Sequence, residues 1–478
     1  MTTHNSSELA AFSLHEQRAL LHRLRQELIQ RYRPVLQKGA GPIRVMASLV
    51  NELEARCREL SIAPEVMSAE VVNRTIGDVN VRLITECEGE TGGPGDYRRL
   101  ADDLGVALPG EQLAGYVATG ETYLWLRDQT EEIERELLRQ GVDLRIYDIK
   151  GVGNPVLRAQ LAGKTRAWDI QTSTEQVYIS LGAMDGLDKT LRGLAYVSRE
   201  TSGSPIGMLC PEPGFGTPEW QAVSHGYVLH RFQTDAANLF KLTPQQLDEL
   251  LQQFTDVHVL YLSVTSNPST FAYTPQELND LYAVLRPYWR AGRKVYILAD
   301  LAYIGTGVPA DDLARMATFA DPEVWHYTLC AHSLSKTHTL TGNRFGWVTI
   351  GDPQLALALA PAWANSMASL PADWQLRFMA YLRLIERRPW LGEKLRTFYH
   401  LRRTRLARQL QRIDDKQHLF AQVYLGDDAT VYNWSQLCPG EDAFSLFEKT
   451  GIAGVPGSGF GYTDDFVRFS IGVIPVPE

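Results

Sequence analysis

Between Tyr147 and Ile350 the chain alternates apolar, strand-like runs with amphipathic helical stretches. The strand-like runs are Gln176–Leu181, Pro205–Cys210, Gly226–Phe232, Val257–Val264, Lys294–Ala299, His326–Ala331 and Phe345–Ile350. Helical patterns fill most of the intervals, for example Asp185–Ser198, Thr243–Phe254 and Thr274–Ala291. Parallel strands need long crossovers and bury both faces, so this alternation predicts an α/β fold. Its centre is a mainly parallel sheet with helices on both sides. Ligands of such sheets gather at the carboxyl ends of the strands. Periodicity leaves the direction of the last run, Phe345–Ile350, open.

On either side of this block the pattern changes. Residues 13–32 form an amphipathic helix, with Ser13 and Glu16 as a capping box and Leu20, Leu21, Leu24 and Leu28 on one face; Pro34 and the Gly39–Pro42 cluster are expected to end it. A second helix is expected over Ile43–Leu60, and a charged one over 121–140 after a Gly-rich acidic stretch at 88–120. Beyond Pro353 comes a long Arg-rich helix around 374–412, then short strand signals near Gln422–Leu425 and Phe466–Ile471. These divisions predict an N-terminal helical extension at 1–65 and the first part of a smaller α+β domain at 66–145. They also predict a large domain at 146–355 and the rest of the small domain at 356–478.

With 478 residues, 44% of them hydrophobic, the chain can bury large cores, and its net charge of −9 argues against a general nucleic-acid binder. Cys57, Cys87, Cys210, Cys330 and Cys438 are scattered, which fits reduced thiols better than a disulfide framework or a zinc site, so no metal is expected. No signal peptide is evident, and no apolar run approaches the roughly 20 residues that span a bilayer. A cytoplasmic protein without membrane partners is the expectation.

Several polar groups sit where the predicted strands end. In Ala331-His-Ser-Leu-Ser-Lys-Thr, Lys336 follows Ser333 and Ser335 and precedes Arg344. A lysine of lowered pKa can form an imine with an aldehyde. Hydroxyls and a guanidinium fork can hold a phosphate. Aldehyde and phosphate on one small molecule describe pyridoxal 5′-phosphate. The plain alternative is a solvated loop. Gly182, Ala183 and Met184 open a helix, and their free N–H groups would face an anion. Phe215 lies in a Pro/Gly turn and can stack on a planar ring, although local packing is the commoner role of such an aromatic. Asn267 can donate to a phenolate oxygen or form an Asx turn before Pro268. Asp300 ends an apolar strand, where a carboxylate is costly without a partner. A protonated pyridine nitrogen would be one partner, and helix capping is the bland role. Tyr303 can reach the same ring oxygen as Asn267.

Taken in this order on one sheet, Asn267, Asp300, Lys336 and Arg344 resemble the signature of fold-type-I pyridoxal-phosphate enzymes, specifically the class I/II aminotransferase family. The resemblance extends to Ser333-Leu-Ser-Lys336 and Arg344-Phe-Gly-Trp347. It takes in Val455-Pro-Gly-Ser-Gly-Phe-Gly461 with Val467-Arg-Phe-Ser470, Thr75-Ile-Gly-Asp78 and Tyr147-Asp-Ile-Lys-Gly-Val-Gly153. It implies that Lys336 is the Schiff-base lysine and general base, that Asp300 pairs with the pyridine nitrogen, and that Asn267 and Tyr303 bond the ring oxygen. By the same resemblance Phe215 would stack on the ring. Gly182–Met184, Ser333 and Arg344, with help from Ser335, would hold the phosphate. Arg468, with the Gly77 backbone, would bind the substrate α-carboxylate. It also implies a homodimer with the active site at the subunit interface, Tyr147 reaching the neighbour's phosphate, and amino-acid and 2-oxo-acid substrates.

Three departures stand out. Met184 replaces a hydroxyl or amide side chain. Thr270 stands where relatives have a glycine, so that turn is expected to differ. Pro361–Met367 lacks the second arginine of dicarboxylate-specific relatives. Transamination is the simplest activity. Oxidation or hydroxylation, decarboxylation, and β/γ-elimination or replacement begin in the same way on this scaffold. A non-catalytic aminotransferase-like binding protein is disfavoured by the retained Lys336 and the absence of a basic helix-turn-helix module.

Overall fold

In the computed structural model, residues 13–39, 41–79, 122–143, 145, 148, 150–202, 206–424, 426 and 429–472 are described. The Gly-rich stretch at 88–120 and Tyr147 lie outside them.

Strands β2 (Val177–Leu181), β3 (Gly207–Glu212), β4 (Val228–Gln233), β5 (Val257–Ser263), β6 (Tyr296–Asp300), β7 (Thr328–Ser333) and β8 (Phe345–Ile350) form one seven-stranded sheet, following a short β1 at Val72–Asn73. Their order is β2-β8-β7-β6-β5-β3-β4. The pairs β3–β4, β3–β5, β5–β6 and β6–β7 are parallel, whereas β8 runs antiparallel to both β2 and β7. The α/β architecture and the strand positions are as expected, and the open direction of Phe345–Ile350 resolves as antiparallel.

The period of two along a strand divides the side chains between two cores. Leu260, Leu262, Ile297, Ala299 and Cys330 face the helices Pro244–Gln253 and Pro275–Arg290. Val259, Tyr261, Leu298, Leu329 and Ala331 face the helices Ala183–Ser202 and Pro353–Met367. Helix starts follow local chemistry. Thr274 and Glu277 make a reciprocal capping box ahead of Pro275.

A second sheet has the order β12-β13-β10-β9, built from β9 (Phe420–Tyr424), β10 (Tyr432–Leu437), β12 (Val455–Pro456) and β13 (Phe466–Ser470). A short β11 (Ile452–Ala453) pairs in parallel with β1 and brings the segment after β1 alongside the C-terminal strands.

Two helical expectations are corrected. The helix capped by Ser13 and Glu16 runs from Leu14 to Gln37, straight through Pro34. Proline there removes one donor in the last turn but keeps a helical φ, and its carbonyl still accepts from Lys38 N at 3.2 Å. The long Arg-rich helix is two helices, Ala372–Arg387 and Trp390–Gln417, interrupted at Arg388–Pro389. Arg388 adopts φ −133° and ψ 64°, outside the helical region that a following proline disfavours. No helix among the described residues is long and apolar enough to cross a membrane.

Arg25 ties the first helix to the rest. Its buried guanidinium donates to the carbonyls of Phe447 (3.2 Å), Glu448 (3.1 Å) and Glu70 (2.8 Å), and pairs with the Glu70 carboxylate at 3.3 Å. Arg25→Ala leaves those acceptors without their donor and should destabilise the protein by about 2–4 kcal/mol. A urea melt checks this. The midpoint falls while the slope stays constant; an unchanged midpoint would mean that the extension is not anchored by this residue.

Candidate active site

Strand direction assembles the site. Asp300 ends β6, Asn267 follows β5, Phe215 follows β3, and Ser333, Ser335 and Lys336 end and follow β7. All lie at the carboxyl edge of the parallel strands. Because β8 is reversed, its beginning lies at the same edge. Gly346 is opposite Ser180 on one side and Ser333 on the other. Arg344 therefore stands between the end of β2 and the end of β7.

Gly182 turns out of β2 at φ +83°, and a Cβ there would lie 2.6 Å from Arg344 Nη2. A Cβ on Gly346 would in turn lie 2.5 Å from the Gly182 backbone. Glycines at both positions let the guanidinium pack onto the start of the helix Ala183–Ser202. Arg344 itself takes φ +57° and donates to the carbonyls of Thr341 (3.0 Å) and Leu181 (3.4 Å). Neither acceptor is charged. The Ser333 hydroxyl donates to Ser335 Oγ at 2.7 Å and accepts from Ser335 N at 3.0 Å. The Met184 side chain is exposed, and its carbonyl accepts from Gln221 at 2.9 Å. A guanidinium, two serine hydroxyls and a helix start with open N–H groups therefore meet at this corner.

Asp300 is buried and has only neutral hydrogen-bond partners among the described residues. Tyr261 donates its hydroxyl to Oδ2 at 2.8 Å, and Ala302 N donates to Oδ1 at 3.0 Å. Burial raises the Asp300 carboxyl above the ordinary aspartate range, with those two hydrogen bonds opposing. Phe215 is half-buried and lines one small cavity with Tyr261, Ser266 and Asn267.

Across the edge, Arg468 on β13 is 3% exposed and lies in no ion pair among the described residues. It donates to Asn267 Oδ1 (3.1 Å) and the Thr75 carbonyl (3.2 Å), and its Nε has no partner among the described residues. Lys336 Nζ donates to the Gly77 carbonyl, which also accepts the Tyr432 hydroxyl at 3.5 Å. Tyr303 donates to Tyr432 Oη at 3.2 Å. Tyr399, from the helix Trp390–Gln417, holds the Lys336 carbonyl at 2.7 Å. The strands of the four-stranded sheet thus carry Arg468 and Tyr432 to the lysine.

The structure brings together Lys336, Gly77, Tyr303, Asn267 and Arg468 on one side, and Gly182, Arg344, Ser333 and Ser335 on the other. Thr270 takes φ +69°, the conformation a glycine would favour, and is fully buried. Sequence inspection missed Tyr261, Tyr432 and Tyr399. Tyr261 sits inside an apolar strand and reads as core, and β10, which carries Tyr432, has a mixed composition with weak strand periodicity.

Solved structures share this fold. A single mutant of Thermus thermophilus aspartate aminotransferase matches over 89% of this chain and 92% of its own, with a TM-score of 0.64 at 17% identity. A Thermotoga maritima aspartate aminotransferase matches with a TM-score of 0.62 at 16% identity, covering 88% and 91%. In sequence, residues 148–475 match the aminotransferase class I and II family, and the chain belongs to it. An asparagine–oxo-acid transaminase of Streptococcus mutans is 26% identical over 245 residues, 50% of this chain and 58% of that protein. An LL-diaminopimelate aminotransferase of Maridesulfovibrio salexigens is 27% identical over 221 residues, 45% and 52%. These two alignments span little more than half of the relatives' own length.

The unusual burial of Asp300 gives a stability test. Its raised folded-state pKa means that, above the unfolded-state pKa, the folded state binds more protons than the unfolded one. Stability is therefore lost as pH rises through the folded value. In protein stripped of small molecules, Asp300→Asn should remove this loss, so the variant melts at or above the parent temperature at neutral pH. Melting curves across acid to neutral pH decide it; a variant less stable than the parent at neutral pH would show that the carboxylate is a structural cap.

Proposed function

We propose that the protein is a pyridoxal-phosphate-dependent aminotransferase that moves the amino group of an L-α-amino acid to a 2-oxo acid. The observation that carries this reading is Arg468, a buried guanidinium beside Lys336's partner Gly77 with neutral oxygens for company. A buried cation without an acid costs several kcal/mol, and a substrate carboxylate would be its natural counter-ion. The residues present also fit the cofactor, since Asp300 is a buried acid whose partners among the described residues are neutral, as a pyridinium would require.

When bound, the cofactor would supply an aldehyde for covalent capture of the amino group and a ring that withdraws electrons from the substrate Cα. Asp300 would keep the ring nitrogen protonated. The Asn267 amide and the Tyr303 hydroxyl would donate to the ring oxygen, with Phe215 covering a ring face. The Gly182, Ala183 and Met184 amides would hold the phosphate with Ser333, Ser335 and Arg344. Lys336 Nζ would move the proton at the substrate Cα, and Arg468 with the Gly77 backbone would hold the carboxylate so that this proton faces the amine. We extend the proposal to a cytoplasmic homodimer in which Tyr147 reaches the neighbour's phosphate. Cys57, Cys210 and Cys330, all free and buried, support the reducing compartment.

Pairs of amino acids and 2-oxo acids assayed with two arginine variants test the reading. Arg468→Ala should keep the cofactor and its spectrum but lose roughly a hundredfold in kcat/KM, mostly through KM, as expected for leaving a charge unpaired. Arg344→Ala should weaken the cofactor itself, and added pyridoxal phosphate should restore part of the activity. Loss of cofactor from Arg468→Ala with unchanged amino-acid affinity would reverse the two roles. Release of ammonia or peroxide in place of a new amino acid would overturn transamination.

A further inference from the structure

Tyr432 occupies the junction between the arginine and the lysine. It lies on β10, where Trp434 pairs with Arg468 and Tyr432 with Ser470, so its ring stands next to the β13 arginine. The Arg468 guanidinium carbon lies 4.2 Å from the centre of the Tyr432 ring and 4.8 Å from that of Phe460. Both rings are buried. At these distances a guanidinium is attracted to the ring face, and the attraction grows when water is excluded. The polar end of Tyr432 has a different set of neighbours. Its oxygen accepts from Tyr303 and donates to the Gly77 carbonyl, the atom that also receives Lys336 Nζ. The space is closely fitted, since a Cβ on Gly77 would lie 2.6 Å from the Tyr432 hydroxyl.

We propose that Tyr432 is a two-part positioning residue, whose ring seats Arg468 for the substrate carboxylate while its hydroxyl holds Tyr303 directly and Lys336 through the Gly77 carbonyl. This rests on the reading of Arg468 and Lys336 given above. The electrostatics agree. Burial pushes the Tyr432 phenol up, but Arg468, Lys336 and the hydrogen bond from Tyr303 pull it below the ordinary tyrosine value, with Asp78 opposing. The hydroxyl oxygen is thus held in a field of two cations, and the ring is pressed against one of them.

The two halves make separable demands. The ring acts on a group that binds substrate, so its removal shows in affinity. The hydroxyl acts on the group that moves the proton, so its removal shows in turnover. In holoenzyme, Tyr432→Phe keeps the ring; KM and the affinity for hexanoate, a carboxylate without an amino group, should stay within about threefold of the parent, while kcat falls about tenfold or more. Tyr432→Leu removes both parts, and hexanoate affinity measured by calorimetry should fall about tenfold in addition. Phe460→Leu takes away the other ring; it should weaken hexanoate with kcat near the parent value, and it supplies the test if Tyr432→Leu does not fold. Equal losses of kcat and affinity in Tyr432→Phe would overturn the division of roles, as would unchanged hexanoate affinity in both Tyr432→Leu and Phe460→Leu, or in Phe460→Leu alone if Tyr432→Leu does not fold. Arg468→Ala measured in parallel separates the two levels. If it binds hexanoate like the parent, the reading of Arg468 itself fails; if it loses hexanoate while the ring variants do not, only the role of Tyr432 fails.

Discussion

The reversed strand β8 is the constraint on which the site depends. A sheet of parallel strands presents its carboxyl ends along one edge, and a residue that begins a strand normally lies at the opposite edge. Inserting β8 antiparallel between β2 and β7 returns Arg344 to the carboxyl edge, beside the helix start at Gly182 and the serines that end β7. The stretch Leu334–Arg344 that makes this return carries Lys336. Strand order therefore sets lysine, arginine and serines within one corner without any long-range side-chain recognition. The glycines at 182 and 346 are the local condition for it, because a Cβ at either would meet Arg344 or the turn beneath it.

The second feature is a pair of buried charges of opposite sign that do not neutralise each other. Asp300 is bonded to a phenol and an amide, while Arg468 is bonded to an amide oxygen and a carbonyl. Each arrangement offsets part of the desolvation cost, yet neither supplies a counter-charge, and that shortfall is on the order of a few kcal/mol for each group. Folding tolerates it because two apolar cores flank the sheet and a third joins the four-stranded sheet to the N-terminal helices. Among the described residues neither group has a counter-ion, so the carboxylate on the sheet and the guanidinium on β13 stand as the acidic and cationic ends of one ligand set. Asn267 belongs to the cationic end: its side-chain oxygen accepts from Arg468, and no described residue takes its amide hydrogens.

Much of this was legible in the sequence, and for a physical reason. The strands of the large sheet are buried on both faces, so they appear as short continuous apolar runs, and the chemistry sits just past their ends. Asp300, Asn267 and Lys336 could be placed by that rule alone. The strands of the four-stranded sheet were less visible. β10 reads Tyr-Asn-Trp-Ser-Gln-Leu, in which Asn433 and Ser435 are buried polar residues bonded to each other, so the usual alternation is lost. Tyr432 went unnoticed with it. Proline misled in one place and was informative in another: Pro34 falls in a last helical turn, where it costs one bond, whereas Pro389 follows a residue turned out of the helical region. Thr270 shows a tertiary demand overriding local preference, with a β-branched residue held at positive φ inside the core.

The central claim is that Lys336 is the amine through which this edge of the sheet captures a pyridoxal aldehyde. Borohydride reduction of the purified holoprotein, followed by peptide mapping, examines it directly. The account predicts a single stable phosphopyridoxyl adduct on Lys336. An adduct on Lys164 or Lys189, or a cofactor that remains extractable after reduction, would contradict it.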